Sequence, residues 1–402
     1  MSKNIVFCAD GTWNSPTQDD NHDQLPDQTN VYKLFRMLEG ELSAQTPEGS
    51  REQEKVLSAG SMIRQVAKYL HGVGDDTNAL SRILGGAFGA GVITRIVRGY
   101  TFISRNYRPG DRIFIIGFSR GAYTARALAG FIASQGLLAP ALAADKEEAY
   151  RKGAQAWYRY RDTCTSADFC ARLAEVAANL PAFISRSSRA PEDFVPVPEI
   201  GAVAVWDTVG ALGIPCFAGD ARMDAFRFSD RKLSDKVAWG FHALSLDERR
   251  CDFTPTLWDS REQVKQVLFP GAHADVGGGY PTLNSESNLS DGTLEWMLEE
   301  LLALGLIAVD HEIPDYFPSV GGVAHQPWRG TLYKTAARVF PEDLVGHHSL
   351  ALRGRLPEVL ADPAAAAAPY RPENLPADIC TVGLDPATPE NTGICARCVL
   401  RD

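Results

Sequence analysis

Five short apolar runs, each closed by a turn rich in Gly or Asp and separated by stretches with helical spacing, constrain this chain more than any other feature. They are Asn4–Ala9 before Asp10-Gly11-Thr12, Val66–Leu70 before Gly72-Val73-Gly74-Asp75-Asp76, Arg112–Gly117 before Phe118-Ser119-Arg120-Gly121, Val203–Trp206 before Asp207-Thr208, and Val264–Phe269 before Pro270-Gly271-Ala272-His273. Runs of this length and bounding read as buried strands, and their alternation with helical stretches predicts βαβ units around a mainly parallel sheet. Each run delivers polar residues at its C-terminal end, the edge at which open α/β sheets bind ligands.

The chain has 402 residues, 45% hydrophobic and 22% charged. That is room for one large core with insertions, since a domain usually takes roughly 100–200 residues. The expected division is a catalytic core over residues 1–140 and 199–308, a helical insertion over 141–198 that could act as a lid, and an appendage over 309–402 packed on the core. Strands are expected to stop near Val309, and Pro363 to Pro369 encloses a run of five alanines. With 40 Lys and Arg against 50 Asp and Glu, the net charge of −10 excludes a chain built mainly to track nucleic-acid phosphates.

Ile5–Ala9 is too short for the apolar stretch of a signal peptide, so the cytoplasm is the expected place of synthesis and residence. The longest uncharged stretch, Ala127–Ala144, contains Ser134, Gln135, Gly136 and Pro140 and reads as a buried helix with its exit loop. The eight cysteines are scattered and read as reduced thiols. Cys395 and Cys398, even with Cys380, fall short of the four ligands of a structural zinc, and no metal or organic cofactor is expected.

The segment Ile113-Phe-Ile-Ile-Gly117-Phe-Ser119-Arg-Gly121-Ala-Tyr reads as strand, G-x-S-x-G turn and helix. A nucleophilic serine needs that arrangement: a tight turn holds its hydroxyl out, and glycines clear space where backbones crowd. The helix N-terminus then favours an oxyanion. The bland alternative is a serine that merely caps the helix. A serine hydroxyl also needs a base, and the base an orienting carboxylate. Asp207 and His273 follow Ser119 in the order Ser, Asp, His, each just past a strand. Taken singly, Asp207 is a turn residue and His273 a loop histidine; three strand-end matches in the required order favour the triad.

His242 is the rival base, placed in a helix-like stretch and expected to pack beneath the site, and Asp247 and Asp275 are rival acids. The Arg120 N–H is one oxyanion donor and Gly11 or Thr12 the second, although Asp10-Gly11 reads almost as well as a plain turn. Asp10, His242 and Asp275 are expected to touch substrate or support the residues that do. Cys8-Ala-Asp10-Gly11-Thr12 resembles the D-x-D-G-T loop of aspartyl-phosphate phosphatases, but Cys8 stands where the nucleophilic carboxylate belongs, which rejects that chemistry. Gly72-Val-Gly74 and Gly85-Gly86-Ala-Phe-Gly89-Ala-Gly91 lack the Lys-Ser/Thr of a phosphate loop and read as small residues packing helices.

Together, Phe7-Cys-Ala-Asp10-Gly-Thr-Trp13-Asn, Gly117-Phe-Ser-Arg-Gly-Ala122, Val205-Trp-Asp207-Thr-Val-Gly, His242-Ala-Leu-Ser-Leu-Asp-Glu-Arg249 and Pro270-Gly-Ala-His273-Ala-Asp-Val-Gly-Gly-Gly-Tyr280 carry a family resemblance. They resemble the α/β-hydrolase domain family that includes phospholipase effectors of bacterial type VI secretion systems. Gly72-Val-Gly-Asp, His348-Ser-Leu-Ala-Leu-Arg353 and Tyr370-Arg-Pro-Glu-Asn374 extend the match along nearly the whole chain. The resemblance implies an α/β-hydrolase fold, a Ser119-Asp207-His273 esterase, and a phospholipase A activity on membrane glycerophospholipids. It further implies a transient membrane-surface contact, an immunity protein, and export by a secretion-machine component. The competing expectations are an esterase or thioesterase on a small soluble substrate, and a non-catalytic interaction protein on the same scaffold.

Overall fold

The computed structural model describes residues 2–11, 14–17, 19, 23, 25–44, 50–72, 87–164, 193–209, 232–309, 313, 315–329, 333–341, 344–376 and 380–382. In chain order its strands are β1 (Asn4–Ala9), β2 (Glu41–Leu42), β3 (Glu52–Ala59), β4 (Met62–Leu70), β5 (Arg112–Phe118), β6 (Leu137–Leu138), β7 (Phe194–Val195), β8 (Ile200–Trp206), β9 (Val237–Ser245), β10 (Val264–Phe269), β11 (Val345–His347) and β12 (Cys380–Val382). The helices are α1 (Asn30–Met37), α2 (Ala87–Asn106), α3 (Arg120–Gln135), α4 (Lys146–Cys164), α5 (His273–Gly277), α6 (Asn288–Ala303) and α7 (His348–Arg355).

Ten of these strands form one sheet in the order β12-β11-β10-β9-β8-β5-β1-β4-β3-β2. All its pairings from β12 to β4 are parallel, and only β3 against β4 and β2 against β3 are antiparallel. The period-2 alternation of a strand buried on both faces divides each central strand between two cores. Ile5, Phe7, Ile113, Ile115, Val203 and Val205 face the core that holds α2, α3 and α4, with Leu128, Phe131 and Trp157. Val6, Cys8, Phe114, Ile116, Ala204 and Trp206 face the opposite core, with Leu34 of α1 and Leu294 and Met297 of α6.

Three sequence readings change here. His242 lies on β9, a strand between β8 and β10, and not on a helix. Phe241, Ala243 and Leu244 around it are buried, and burial on both faces blurs the alternation that would mark a strand. Strands do not stop at Val309: β11 and β12 extend the sheet past β10. They are three residues each, too short to show a period. Val66–Leu70 is the end of a longer strand paired in a hairpin with β3, which carries no apolar signature because it reads Glu-Gln-Glu-Lys-Val-Leu-Ser-Ala, polar near an edge of the sheet.

Within the insertion, helix α4 packs Trp157 and Tyr160 against Phe131 of α3, at 5.4 and 5.5 Å between ring centroids. The two-stranded pair β6–β7 joins Leu137 to Val195 and so closes the insertion at its base. Residues 165–192 of that insertion lie outside the described residues, as do residues 73–86, which hold parts of both glycine motifs, and Cys395 and Cys398. Ala127–Gln135 is helix and largely buried, as its composition suggests. No helix among the described residues is long and apolar enough to cross a membrane. A third cluster, in which Phe340, Leu344 and Leu350 meet Leu244, Leu246 and Leu268, fastens the C-terminal segment to the strands β9 and β10.

Candidate active site

Parallel pairing of Phe118 with Trp206 puts Ser119 and Asp207 side by side, each one residue beyond its strand. Both are buried and both have positive φ, 56° for Ser119 and 33° for Asp207. Non-glycine residues held there are strained, and such strain tends to gather at functional sites. Ser119 has ψ −121° and its side chain makes no capping hydrogen bond to α3. The plain helix-cap alternative therefore fails, and the hydroxyl is left for other use.

The two glycines of the motif are required by contact. A Cβ on Gly121 would collide with the carbonyl oxygens of Ala9 and Asp10, and one on Gly117 would collide with the backbone of Gly121. Their absence lets α3 start directly against the ends of β1 and β5. Gly121→Ala is expected to cost about 1–3 kcal/mol through this overpacking, measurable as a lower urea midpoint.

His273 begins α5, two residues beyond Gly271 and across β9 from Asp207. Its Nδ1 lies 2.6 Å from Asp207 Oδ2, while its buried Nε2 has no hydrogen-bond partner among the described residues. The ring is held between Phe118, at 4.7 Å between centroids, and Phe253, edge-on at 4.9 Å. Its backbone N–H donates to Glu248 Oε2 at 3.2 Å. Burial lowers the His273 pKa, and Asp207 opposes that only in part.

Asp207 accepts from the Ser245 N–H at 3.0 Å and, on both oxygens, from Arg338 at 2.8 and 2.9 Å. Burial alone would raise its pKa, but the Arg338 charge and the His273 hydrogen bond hold it well below the usual carboxylate range. Arg338 also donates to the Ser245 and Phe253 carbonyls. The Asn374 side chain accepts from the Arg338 N–H at 3.2 Å and donates to the Leu246 and Glu248 carbonyls. Sequence reading misses Arg338. It sits 131 residues from Asp207 in an irregular segment, and the only local hint is Asn374 in the C-terminal motif.

The remaining candidates divide. His242 is buried against the edge of Trp258, and its Nε2 accepts from the Thr208 N–H at 3.0 Å, bracing the turn that carries Asp207. Burial pushes its pKa down to about 3, so it is neutral. Asp247 accepts from the Gly271 N–H and the Tyr370 hydroxyl, at 2.7 and 2.9 Å. Asp275 accepts from the Ala272 N–H and from His325 Nδ1, at 2.8 and 2.6 Å. Neither rival acid bonds His273; both hold the loop from which it projects.

Asp10 is buried just past the end of β1, taking hydrogen bonds from Thr29 and Tyr69 and, at 2.6 Å, from the Gly11 N–H. Gly11 is thus corrected as an oxyanion donor, because its N–H is already committed to a carboxylate. Thr12 lies outside the described residues. Arg120 is the first residue of α3, where N–H groups have no intrahelical acceptor. Cys380 is on β12.

The fold and site define a mixed α/β protein with a largely parallel sheet that gathers a strained serine, an imidazole and a buried carboxylate at the C-terminal edge of its strands. Residues 3–300 match the family model described as the type VI secretion system phospholipase effector Tle1-like catalytic domain, and the chain belongs to that family. It is 29% identical over 266 residues to the uncharacterized protein YEL023C of Saccharomyces cerevisiae, covering 62% of this chain and 32% of that protein. Two solved structures are similar at lower level. One is an uncharacterized protein from Pseudomonas aeruginosa, with TM-score 0.41, 17% identity, and 79% of this chain and 49% of that one covered. The other is the Tle1 effector bound to the VgrG spike of the type VI secretion system, with TM-score 0.35, 15% identity, and 71% and 52% covered. The chain thus spans about a third of that curated relative and about half of these two solved chains.

Proposed function

We propose that this chain is a serine hydrolase on an α/β-hydrolase scaffold that cleaves acyl esters of phospholipids through an acyl-enzyme. The observation that carries the reading is His273, whose Nδ1 is fixed by Asp207 while Nε2 stays unpartnered among the described residues, on the same sheet edge as a strained, uncapped Ser119. Ser119 Oγ attacks the ester carbonyl as His273 Nε2 takes its proton, and the imidazolium is held by Asp207. The oxyanion is received at the N-terminus of α3, with the Arg120 N–H as one donor. Collapse expels the alcohol, protonated by His273, and a water activated by the same nitrogen then releases the fatty acid. His242, neutral and bonded to Thr208, braces the turn of Asp207 and is not the base.

Family membership supports a lipid ester over a soluble one, and with it contact with a membrane surface, an immunity protein and a secretion-machine partner. Labelling with a fluorophosphonate tests the reading, run beside fatty-acid release from phospholipid vesicles and turnover of a short nitrophenyl ester. Labelling lost in Ser119→Ala together with vesicle hydrolysis is expected. Turnover of the short ester alone would make the enzyme a soluble esterase, and an unlabelled wild type would leave only a binding scaffold.

The base must be neutral to act, and His273 has its pKa lowered by burial below the usual value of about 6.5. The acid limb of kcat/KM is therefore expected below that pH, with activity lost as pH falls through it. A limb well above 6.5 would contradict a buried His273 as base.

A further inference from the structure

On the same edge of the sheet as Ser119, just beyond the end of β9, a cavity of about 370 Å³ opens between the Asp247–Arg249 turn and the C-terminal segment. Four guanidinium groups line it, Arg249, Arg329, Arg353 and Arg371, against the two carboxylates of Asp247 and Glu373. Glu373 is taken by Arg249 at 2.7 Å. Asp247 is taken by the Gly271 N–H and the Tyr370 hydroxyl, and burial raises its pKa to about 6. Arg329 and Arg371 are exposed and have no carboxylate partner among the described residues. The pocket therefore carries an excess of positive charge that its own carboxylates do not cancel.

Arg353 supplies a second observation. It is wholly buried, over the Tyr370 ring at 5.2 Å, and donates to the carbonyls of Val320, Gly322 and Leu360. Among the described residues no carboxylate pairs with it, and its buried Nε has no hydrogen-bond partner. Arg353 feels the charges of Asp247 and Asp275 and stands sealed behind the wall, so the guanidiniums left open for an anion to pair with are those of Arg329 and Arg371. The rest of the wall sets the apolar and aromatic surfaces of Trp328, Val359, Pro369 and Tyr370 beside the polar side chains of His325, Gln326 and Asn374. This suits an anionic group carried on a small organic body better than a bare ion.

We propose that this cavity binds a phosphate group borne by a small organic moiety, at a site separate from Ser119. Its wall is tied to the catalytic residues: Asp247 holds the Gly271 N–H two residues before His273, and Asn374 holds the backbone of Arg338. Occupancy would thus tighten the loop that carries the imidazole and the arginine that grips Asp207.

The test uses the full chain and its Ser119→Ala variant, which separates this site from the proposed hydrolysis. Isothermal titration and thermal melting would be followed with inorganic phosphate, glycerol 3-phosphate, and vesicles of phosphatidylcholine with and without phosphatidic acid. Binding is expected in both proteins, tighter for glycerol 3-phosphate than for inorganic phosphate. It is expected to weaken by about tenfold or more in Arg329→Ala/Arg371→Ala, and to be partly kept in Arg329→Lys/Arg371→Lys. Equal unliganded melting temperatures will show that the variants fold. Competition by phosphatidic acid vesicles would assign the phosphate to a lipid headgroup, and competition only by the soluble ester would assign it to a metabolite-sized effector. Absence of binding by every phosphate probe, or binding unchanged in the double alanine variant, overturns the proposal.

Discussion

Ser119→Ala is expected to lower kcat/KM for ester hydrolysis by about 10⁴-fold or more, and His273→Ala by a similar factor, with the double variant no worse than either single one. The non-additivity follows because nucleophile and base act as one unit: an alkoxide without its base, or a base without its alkoxide, performs no step. A second variant separates chemistry from folding. Ser119 holds φ 56° and ψ −121°, a conformation that glycine adopts freely, so Ser119→Gly should abolish activity while raising stability by about 1 kcal/mol. Melting curves and steady-state rates on the same preparations check both parts. If Ser119→Gly kept activity, another nucleophile would be at work.

Arg338→Ala is expected to have the second-largest effect, acting through Asp207 and not on substrate. Removing the guanidinium leaves a fully buried carboxylate with the Ser245 N–H and the imidazole as its remaining partners among the described residues. Breaking a buried pair from one side costs about 3–5 kcal/mol. In the folded wild type Asp207 has its pKa depressed below the unfolded value of about 3.9. The pair's stabilisation is thus complete above that pH and lost as pH falls below it, so the variant's deficit is largest near neutrality. The catalytic signature is distinct from the loss of stability. Without the Arg338 charge, Asp207 stabilises the His273 imidazolium more, so the acid limb of kcat/KM should move to higher pH. Arg338→Lys should restore much of that limb but not the two-pronged grip on both oxygens. A rate loss with an unmoved pH profile would reduce Arg338 to a packing residue.

The arginine also shows where reading from sequence ends. Asn4–Ala9 and Val264–Phe269 are strands with the bounds their apolar runs suggest, because a centrally buried strand flanked by Gly and Asp turns leaves a local signature. Ser119 is legible for the same reason: strand, tight turn and helix are contiguous, and the clash that forbids side chains at Gly117 and Gly121 is written as two glycines. Asp207 and His273 are legible as strand-end residues, although their hydrogen bond is a tertiary fact. His242 shows the limit within a strand, since β9 is buried on both sides and its apolar run can be drawn as a helix.

The sequence by itself determined the alternation that builds the parallel sheet, and which polar residues its strands present at one edge, because both depend on contacts within a few residues. Tertiary structure alone decided that His242 takes the Thr208 N–H, that Asp275 serves His325, and that Arg338 crosses 131 residues of chain to grip Asp207. The physical reason is the same in each case. A buried donor or acceptor takes whichever partner the packed chain brings within hydrogen-bond reach, and sequence distance carries no information about that reach.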